Sequence, residues 1–397
     1  MRSAFEVADV LRAHWTEIEQ HPYINSWQLR HLSALKKCRT AELGGHIDAC
    51  TSCGVVRQSY NSCRNRHCPK CQGKNREQWI LAREEELLPV PYFHVVFTLP
   101  DTLNALAMHQ PKHVYDALFE AAWGTINTFA KDEKHLGAQA GMISILHTWG
   151  QQLTMHPHLH CIVPGGGLTC TSKKKGQQQR QWKTARSKGK YLFPVKAMSK
   201  VFRAKYVEAL KQRIPDLDKN LANDLFKKEW VVYAKRPFGN AHSVLEYLGR
   251  YTHKVAISNH RIINIDDNGV TISYKDYRDG AQNKELTLAP LEFVRRFSMH
   301  ILPHNFVRIR HYGILSSTAK QKALPMILEQ TQNQQIPLKN EPRLLVPYNP
   351  AICPCCKTAT MITIEIFHKR GPPAAPKSEM KPSSFFESDG QLHCKAV

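Results

Sequence analysis

The stretch that decides the fold is HTWGQQLTMHPHLHCIVPGGG, residues 147–167. His158 and His160 flank Leu159 at the start of an apolar run. Alternate side chains of a β-strand share one face, so both imidazoles point together while Leu159 and Cys161 pack the other way. Burying two imidazoles side by side without a metal ion or an acid would leave polar groups unsatisfied. The pattern therefore predicts a chelating histidine pair on a strand.

A third ligand for such a pair has to come from elsewhere in the chain. His147 lies on the preceding predicted strand, and a hairpin between the two strands would place it beside His158. Gln151 and His156, in the connection between the strands, are alternative ligands. An HxH pattern also occurs in pairs of solvated or core histidines, and the sequence leaves that alternative open.

Apolar periodicity on both sides of this stretch predicts an α+β fold with a largely antiparallel central sheet flanked by helices. Strands are predicted at residues 93–99, 142–148, 158–163, 229–235, 254–265 and 269–275, and long helical regions at 1–45, 74–88 and 101–134. Residues 173–190 contain eight Lys or Arg and no acid, and are predicted to form an exposed loop. We expect an N-terminal helical region (1–45), a zinc-binding module (46–75), a connecting helix (76–90), the main domain (91–345) and a Cys-containing flexible tail (346–397).

Six cysteines crowd into the segment 38–71, which in a chain without a secretion signal indicates metal ligation rather than disulfides. Two CxxC pairs, Cys50 with Cys53 and Cys68 with Cys71, can each present two thiolates from one turn, and together they predict a tetrahedral structural Zn²⁺ site. The neighbours that could form a second zinc site, replace a ligand of the first or bind nothing are Cys38, Cys63, His46 and His67. A site closed by four protein ligands has no position for a substrate, so we expect this module to support folding.

A further group of cysteines lies near the C-terminus, in the sequence CPCC at residues 353–356. Cys353, Cys355 and Cys356, with the more distant Cys394, either bind a metal ion or lie in a loose tail. Their sequence does not distinguish these two possibilities.

The charge of the chain indicates a polyanionic partner. Its 397 residues carry 55 Lys and Arg against 33 Asp and Glu, a formal net charge of +22, and nucleic acid is the commonest partner of such a protein. No apolar stretch approaches the roughly 18–20 residues that span a membrane, so secreted and integral-membrane proteins are excluded and a cytoplasmic location is expected. The cations predicted to contact nucleic acid are Arg64, Arg66, Lys70, Lys74, Lys173, Lys174, Lys175, Arg180 and Lys183.

A pair of tyrosines lies in NAHSVLEYLGRYTHK, residues 240–254, a segment predicted to be helical. Tyr247 and Tyr251 are four residues apart and share one helix face, and Lys254 can reach the phenol of Tyr251. A phenol with a pKa of about 10 is a poor nucleophile near neutral pH, so a nearby lysine or a divalent ion would have to assist it. Tyrosines at this spacing also serve as core or stacking residues.

Three motifs in this order, NSCRNRHCPKCQ (61–72), HPHLHCIVPGGG (156–167) and YLGRYTHKVAISNHRI (247–262), together resemble rolling-circle transposases of the insertion-sequence-91 type, two-tyrosine members of the HUH endonuclease superfamily. The resemblance covers most of residues 30–315. It implies an HUH endonuclease domain that cuts and rejoins single-stranded DNA at element ends through 5′-phosphotyrosine links. His158 and His160 would hold Mg²⁺ or Mn²⁺, and Tyr247 and Tyr251 would be the nucleophiles.

The resemblance also implies partners and a location. The DNA would be single-stranded element ends and target, in the bacterial cytoplasm and at the nucleoid when the protein acts. No GxxxxGK[ST] phosphate loop is present, so a host helicase or replication machinery would supply strand unwinding.

Three alternatives stay open at the level of the sequence. A plasmid replication initiator or relaxase would use the same chemistry in another process. A non-catalytic zinc-containing DNA-binding regulator would use its tyrosines to stack on bases. A metallohydrolase built on the histidines would lack the HExxH pattern of common zinc proteases.

Overall fold

The computed structural model describes residues 3–72, 80, 86–172, 178–185, 192–234, 244, 255–277, 279–331 and 349–368. Its centre is a five-stranded antiparallel sheet of β3 (Tyr92–Thr98), β4 (Gly141–Trp149), β5 (Met155–Pro164), β8 (Val232–Ala234) and β12 (Ile309–Gly313). The strand order is β12-β4-β5-β3-β8, so β5 is central and is hydrogen-bonded on both sides. The predicted α+β class with a central antiparallel sheet flanked by helices is confirmed.

One face of this central sheet packs against helices. The helices on this side are α4 (Asn104–His109), α5 (Pro111–Lys131), α6 (Val195–Arg213) and α7 (Lys219–Lys227). Pro111 opens α5, where its fixed φ suits the first helical turn. Phe97 of β3 and Phe202 of α6 are fully buried with ring centroids 4.8 Å apart, and Leu159 and Cys161 of β5 join the same core.

The opposite face of the central sheet is covered at one end by α9 (Ser317–Thr331). Ile143 and Ile145 of β4 and Ile162 of β5 pack there against Ala323 and Ile327 of the helix. The period of two along β5 continues this face to His160 and His158. The histidines thus occupy the sheet face remote from α5 and α6.

The N-terminal helices form a second core with later parts of the chain. These helices are α1 (Val7–Ala13), α2 (Trp15–Glu19) and α3 (Ser26–Lys36), and the later elements are β9 (Ile262–Asp266), β10 (Gly269–Asp276), β11 (Gln282–Leu288) and α8 (Pro290–Ser298). Asn25 caps α3 by accepting from the backbone N–H of Gln28, whose side chain in turn accepts from the Asn25 N–H. The strand predicted from residue 254 begins only at Ile262, after a short 3-10 helix at Asn259–Arg261.

A small three-stranded antiparallel sheet joins the two ends of the described chain. Its strands are β1 (Gly45–Cys50), β2 (Val56–Tyr60) and β13 (Met361–Phe367), in the order β13-β1-β2. The sequence predicts a flexible tail from residue 346, but residues 361–367 form a strand whose register places Gly45 opposite Phe367 and Cys50 opposite Met361. The alternating apolar residues of MITIEIF account for this strand.

Part of the predicted basic loop is also a strand. β6 (Gly166–Ser172) and β7 (Gln178–Thr184) form an antiparallel hairpin, whereas the sequence predicts a loop over 173–190. Gly166 permits the close pairing, because a Cβ there would overlap the Trp182 ring and lie 2.6 Å from the Lys183 carbonyl oxygen. Residues 173–177 and 186–190 lie outside the described part of the chain. None of the described helices has the length and hydropathy needed to cross a membrane.

Candidate functional site

Three histidines meet on the open face of the central sheet. His147 of β4 lies directly opposite His158 of β5, and His160 follows two residues later on the same face. One ring nitrogen of each histidine lies within 4.8 Å of those of the other two, and the Nε2 atoms of His158 and His160 are 3.2 Å apart. His147 and His160 are buried, while His158 is half-buried. The structure thus brings together the predicted pair and the predicted third histidine.

Hydrogen bonds orient the histidine pair. Nδ1 of His158 lies 2.6 Å from the carbonyl oxygen of His156, and a carbonyl can only accept, so Nδ1 carries the proton and Nε2 keeps its lone pair. His158 Nε2 faces His160 Nε2, and two ring nitrogens at this distance share either a proton or a metal ion. Metal–nitrogen bonds of about 2.1 Å place neighbouring nitrogens about 3.0–3.4 Å apart for octahedral to tetrahedral angles. The observed 3.2 Å fits a bound divalent ion.

His94 of β3 is a functional candidate that the sequence analysis missed. Its Nε2 lies 3.0 Å from Nδ1 of His160, and both rings are buried. For His160 to present an Nε2 lone pair to a metal ion, its proton must sit on Nδ1, where His94 can accept it. The available signal was the alternation in HVVFT, which places His94, Val96 and Thr98 on the face that carries His160.

The two alternative third ligands do not join the three converging ring nitrogens, although the ring centroid of His156 lies 5.0 Å from that of His158. Gln151 uses its backbone carbonyl to accept from the guanidinium of Arg261, and the ring of His156 is exposed. Among the described residues, the group that brings its ring nitrogens together here consists of His147, His158 and His160.

An aromatic and cationic layer supports His147. Trp149 stacks on its ring with centroids 4.7 Å apart and planes 19° apart, and the Arg308 guanidinium lies over Trp149. Burial lowers the pKa of Arg308 to about 9. His300, also beside Trp149, accepts from Thr148 Oγ1 and donates from Nε2 to a backbone carbonyl oxygen, both at 3.1 Å. Burial lowers its pKa to about 4, which keeps it neutral.

The cysteines form two separate clusters of four. Cys68 and Cys71 meet Cys38 and Cys63, with Sγ–Sγ distances of 3.5–3.7 Å between neighbours. The other cluster consists of Cys50, Cys53, Cys353 and Cys356. The prediction of a single site formed by both CxxC pairs is therefore wrong. Cys50, at the end of β1, and Cys53, in the turn after it, contact Cys356 and Cys353, whereas Cys68 and Cys71 contact Cys38, just after α3. Donor number, residue type and distances in both clusters fit tetrahedral Zn²⁺.

The two histidines considered as extra zinc ligands have other partners. His67 is buried and its Nε2 accepts from the Leu302 N–H at 3.4 Å; burial holds its pKa well below the usual range. His46 is half-buried and pairs with Asp48 at 3.3 Å. Neither belongs to a described cysteine cluster.

The predicted DNA-contacting cations fall into three groups. Arg64 and Arg180 are exposed and Lys183 is half-buried. Arg66 instead donates to the carbonyl oxygens of Phe306 and Pro303, at 2.6 and 3.1 Å, and Lys70 pairs with Glu6 at 2.5 Å. These two cations are held within the fold, so their availability to phosphates is reduced. The predicted residues that lie outside the described part of the chain are Lys74, Lys173, Lys174, Lys175, Tyr247, Tyr251 and Lys254.

Comparisons with known proteins find transposases that match most of this chain. The family described as "Transposase zinc-binding domain" matches residues 10–99, and the family described as "Putative transposase" matches residues 141–323. The chain is 40% identical over 400 residues to "Putative transposase y4qJ" of Sinorhizobium fredii (strain NBRC 101917 / NGR234), covering 94% of this chain and 98% of that protein. It is 30% identical over 329 residues to "Transposase for insertion sequence element IS801" of Pseudomonas savastanoi pv. phaseolicola, covering 79% of this chain and 77% of that protein. No solved structure matches.

These relatives and families are transposases, so the replication-initiator, relaxase and regulator alternatives are not favoured. A transposase acts on DNA, which accounts for the net charge of +22. The zinc-binding family match covers the segment with six clustered cysteines and supports a structural zinc. The chain therefore belongs to the insertion-sequence-91 family of transposases.

Proposed function

We propose that this transposase is an HUH endonuclease that cuts and rejoins single-stranded DNA at element ends. The observation that carries the proposal is the cluster of His147, His158 and His160 on one sheet face. A divalent ion, Mg²⁺ or Mn²⁺, held by these rings would polarise the scissile phosphate and neutralise its charge. The rings are well placed for this role because the carbonyl of His156 and the ring of His94 orient the pair.

The proposed nucleophiles are Tyr247 and Tyr251, on the strength of their spacing and of the family. The phenol oxygen of one tyrosine attacks phosphorus, a tyrosine–phosphorus bond forms, and the bond to the 3′ oxygen breaks. The 3′-hydroxyl leaves with a proton, and the 5′ end stays on the protein. Lys254 would stabilise the attacking phenolate. The covalent link conserves the bond for resealing without ATP, and the second tyrosine permits a second cleavage while the first strand remains attached.

The DNA path is proposed to follow the exposed cations. Arg64 and Arg180 are exposed and Lys183 is half-buried, so these side chains can reach phosphates. The protein would act in the bacterial cytoplasm at the nucleoid, with a host helicase or replication machinery supplying single strands.

Covalent capture tests the nucleophiles. Purified protein is incubated with Mn²⁺ and a single-stranded oligonucleotide that spans the element end and is labelled on the 3′ side of the cleavage site. A covalent protein–DNA adduct should form and survive a denaturing gel. Tyr247→Phe should remove the adduct at residue 247, and Tyr251→Phe should remove the adduct at residue 251. The double variant should form no adduct. An undiminished adduct from the double variant would show that another residue is the nucleophile.

Paired histidine variants test the metal-binding role. His158→Ala with His160→Ala should abolish cleavage and leave binding of the single strand intact. His113→Ala is the control, because His113 is exposed on α5, which packs on the other face of the central sheet. Cleavage should be retained in this control. Equal cleavage by the double variant and the control would refute the ligand role. Measuring cleavage with Mg²⁺, Mn²⁺ and Zn²⁺ in turn identifies the ion that supports activity, and Zn²⁺ is included because imidazole ligands suit it by softness.

A further inference from the structure

The second cysteine cluster has the geometry of a closed tetrahedral metal site. Cys50 and Cys356 are 3.6 Å apart at Sγ, as are Cys53 and Cys353, and all four Sγ atoms lie within 4.8 Å of one another. Four thiolates at about 2.3 Å from Zn²⁺ lie about 3.8 Å from one another. A disulfide would require about 2.05 Å between two sulfurs. The observed spacing fits a shared metal ion and no disulfide.

The two halves of this cluster repeat one backbone turn. The N–H of Gly54 donates to the carbonyl oxygen of Cys50, and the N–H of Lys357 donates to that of Cys353, both at 3.0 Å. Gly54 and Lys357, each directly after the second cysteine of its pair, have positive φ angles of 71° and 61°. The left-handed conformation is costly for a lysine. Because Lys357 adopts it at the position that Gly54 occupies in the other pair, we infer that the site requires this turn.

Hydroxyl groups surround the sulfurs of the cluster. Thr360 Oγ1 lies 3.1 Å from Cys50 Sγ, and Thr358 Oγ1 lies 2.9 Å from Cys356 Sγ. Groups that donate hydrogen bonds to the ligands of a metal ion orient those ligands, and these two hydroxyls can do so for the thiolates. Cys355, between the two ligands of CPCC, is exposed and outside the cluster.

The sheet that carries the cluster has little apolar core of its own. Along β13, Ile362, Ile364 and Ile366 are 52%, 44% and 67% exposed, and Val56 of β2 is 51% exposed. By contrast, Cys50 and Cys353 are buried. Small sheets without a core depend on a staple such as a metal ion for their stability.

We propose that Cys50, Cys53, Cys353 and Cys356 bind a structural Zn²⁺ that is distinct from the ion of the Cys38, Cys63, Cys68 and Cys71 cluster. The site joins residues about 300 positions apart and fastens β13 to β1. It extends beyond the zinc-binding family match, which ends at residue 99. The C-terminal segment 349–368 is thereby part of the zinc module.

Metal content of the full chain tests the site. The His158→Ala, His160→Ala background removes zinc that the histidines could bind. In this background, elemental analysis should give about two zinc ions per chain, because each cysteine cluster supplies four ligands. Adding Cys353→Ser and Cys356→Ser should lower the content to about one. Adding Cys355→Ser is the matched control and should leave about two. One ion in the background, or two in the Cys353→Ser, Cys356→Ser variant, would overturn the proposal.

Alkylation of the unaltered protein keeps the test valid if a variant fails to fold. Mass spectrometry should find Cys355 labelled and Cys353 and Cys356 protected in native protein with zinc. A strong chelator should expose the protected pair. Rapid labelling of all three before chelation, or a disulfide involving Cys353, would contradict a zinc site here.

Discussion

Replacement of His94 by Leu gives a sharp test of how the histidine cluster is organised. The Nε2 of His94 lies 3.0 Å from His160 Nδ1, with 3% and 8% of these residues exposed. Leu has a similar volume and no acceptor, so the buried Nδ1–H of His160 loses this partner. Loss of a residue that hydrogen-bonds to a metal-ligating histidine lowers metal affinity about 10–100-fold, which corresponds to about 1.4–2.7 kcal/mol. A buried donor left unpaired costs a similar amount, about 1–3 kcal/mol.

The assay is a Mn²⁺ titration of single-strand cleavage, and this prediction rests on the proposed function. His94→Leu should raise the Mn²⁺ concentration at half-maximal rate about 10–100-fold, whereas DNA affinity in chelator should stay unchanged. His94→Gln restores an acceptor oxygen and should recover most of the metal affinity, which a purely packing role would not do. A half-maximal Mn²⁺ concentration equal to that of the wild type in a folded His94→Leu protein would refute the reasoning.

Three further outcomes follow from the same structure. Gly313→Ala adds a Cβ that overlaps the Ala140 carbonyl oxygen at a φ of 59°, so it should lower Tm strongly. Gly280 has a φ of 58° and open space around it, so Gly280→Ala should cost only about 1 kcal/mol and lower Tm far less. The pKa of His300 is depressed to about 4 in the folded protein, whereas an unfolded histidine has a pKa of about 6.5. The neutral ring therefore stabilises the fold fully above pH 6.5, and up to about 3 kcal/mol of this stabilisation is lost as the pH falls towards 4. Urea unfolding of His300→Gln should show a weaker pH dependence over that range, and an unchanged dependence would exclude His300 as its source. Arg64→Ala and Arg180→Ala should each reduce the salt slope of single-strand binding by about 0.7, and equal slopes in fluorescence anisotropy titrations would remove these residues from the DNA path.

Local patterns predicted the central part of the candidate site. The strand period of two orients His158 and His160 without reference to the rest of the fold, and a hairpin between neighbouring strands brought His147 opposite His158. His94 was missed because a single histidine in an apolar strand has no distinguishing spacing. Its role depends on the lateral pairing of β3 with β5, which is a tertiary property.

The spacing of the cysteines in the sequence could not predict which of them combine in each metal site. Each CxxC motif specifies a pair of thiolates, but the choice of partner pair depends on which turns meet in the fold. Cys68 and Cys71 are closer in sequence to Cys53 than Cys353 is, yet the β1–β13 pairing decides the partner of Cys53. The β7 strand of the β6–β7 hairpin was not predicted because the many cations of residues 173–190 indicate an exposed loop. The packing of Trp182 on Gly166 is a tertiary contact that the local sequence does not reveal.

The pairing of β1 with β13 sets an order for maturation on the ribosome. β1 is complete by residue 50 and β13 begins at residue 361. At about 5–20 residues per second, the intervening segment takes roughly 15–60 s to synthesise. Throughout that interval the edge of β1 and the thiols of Cys50 and Cys53 lack their final partners. A polypeptide interrupted before residue 353 would carry an incomplete N-terminal module, so integrity of the last part of the chain governs maturation of the first.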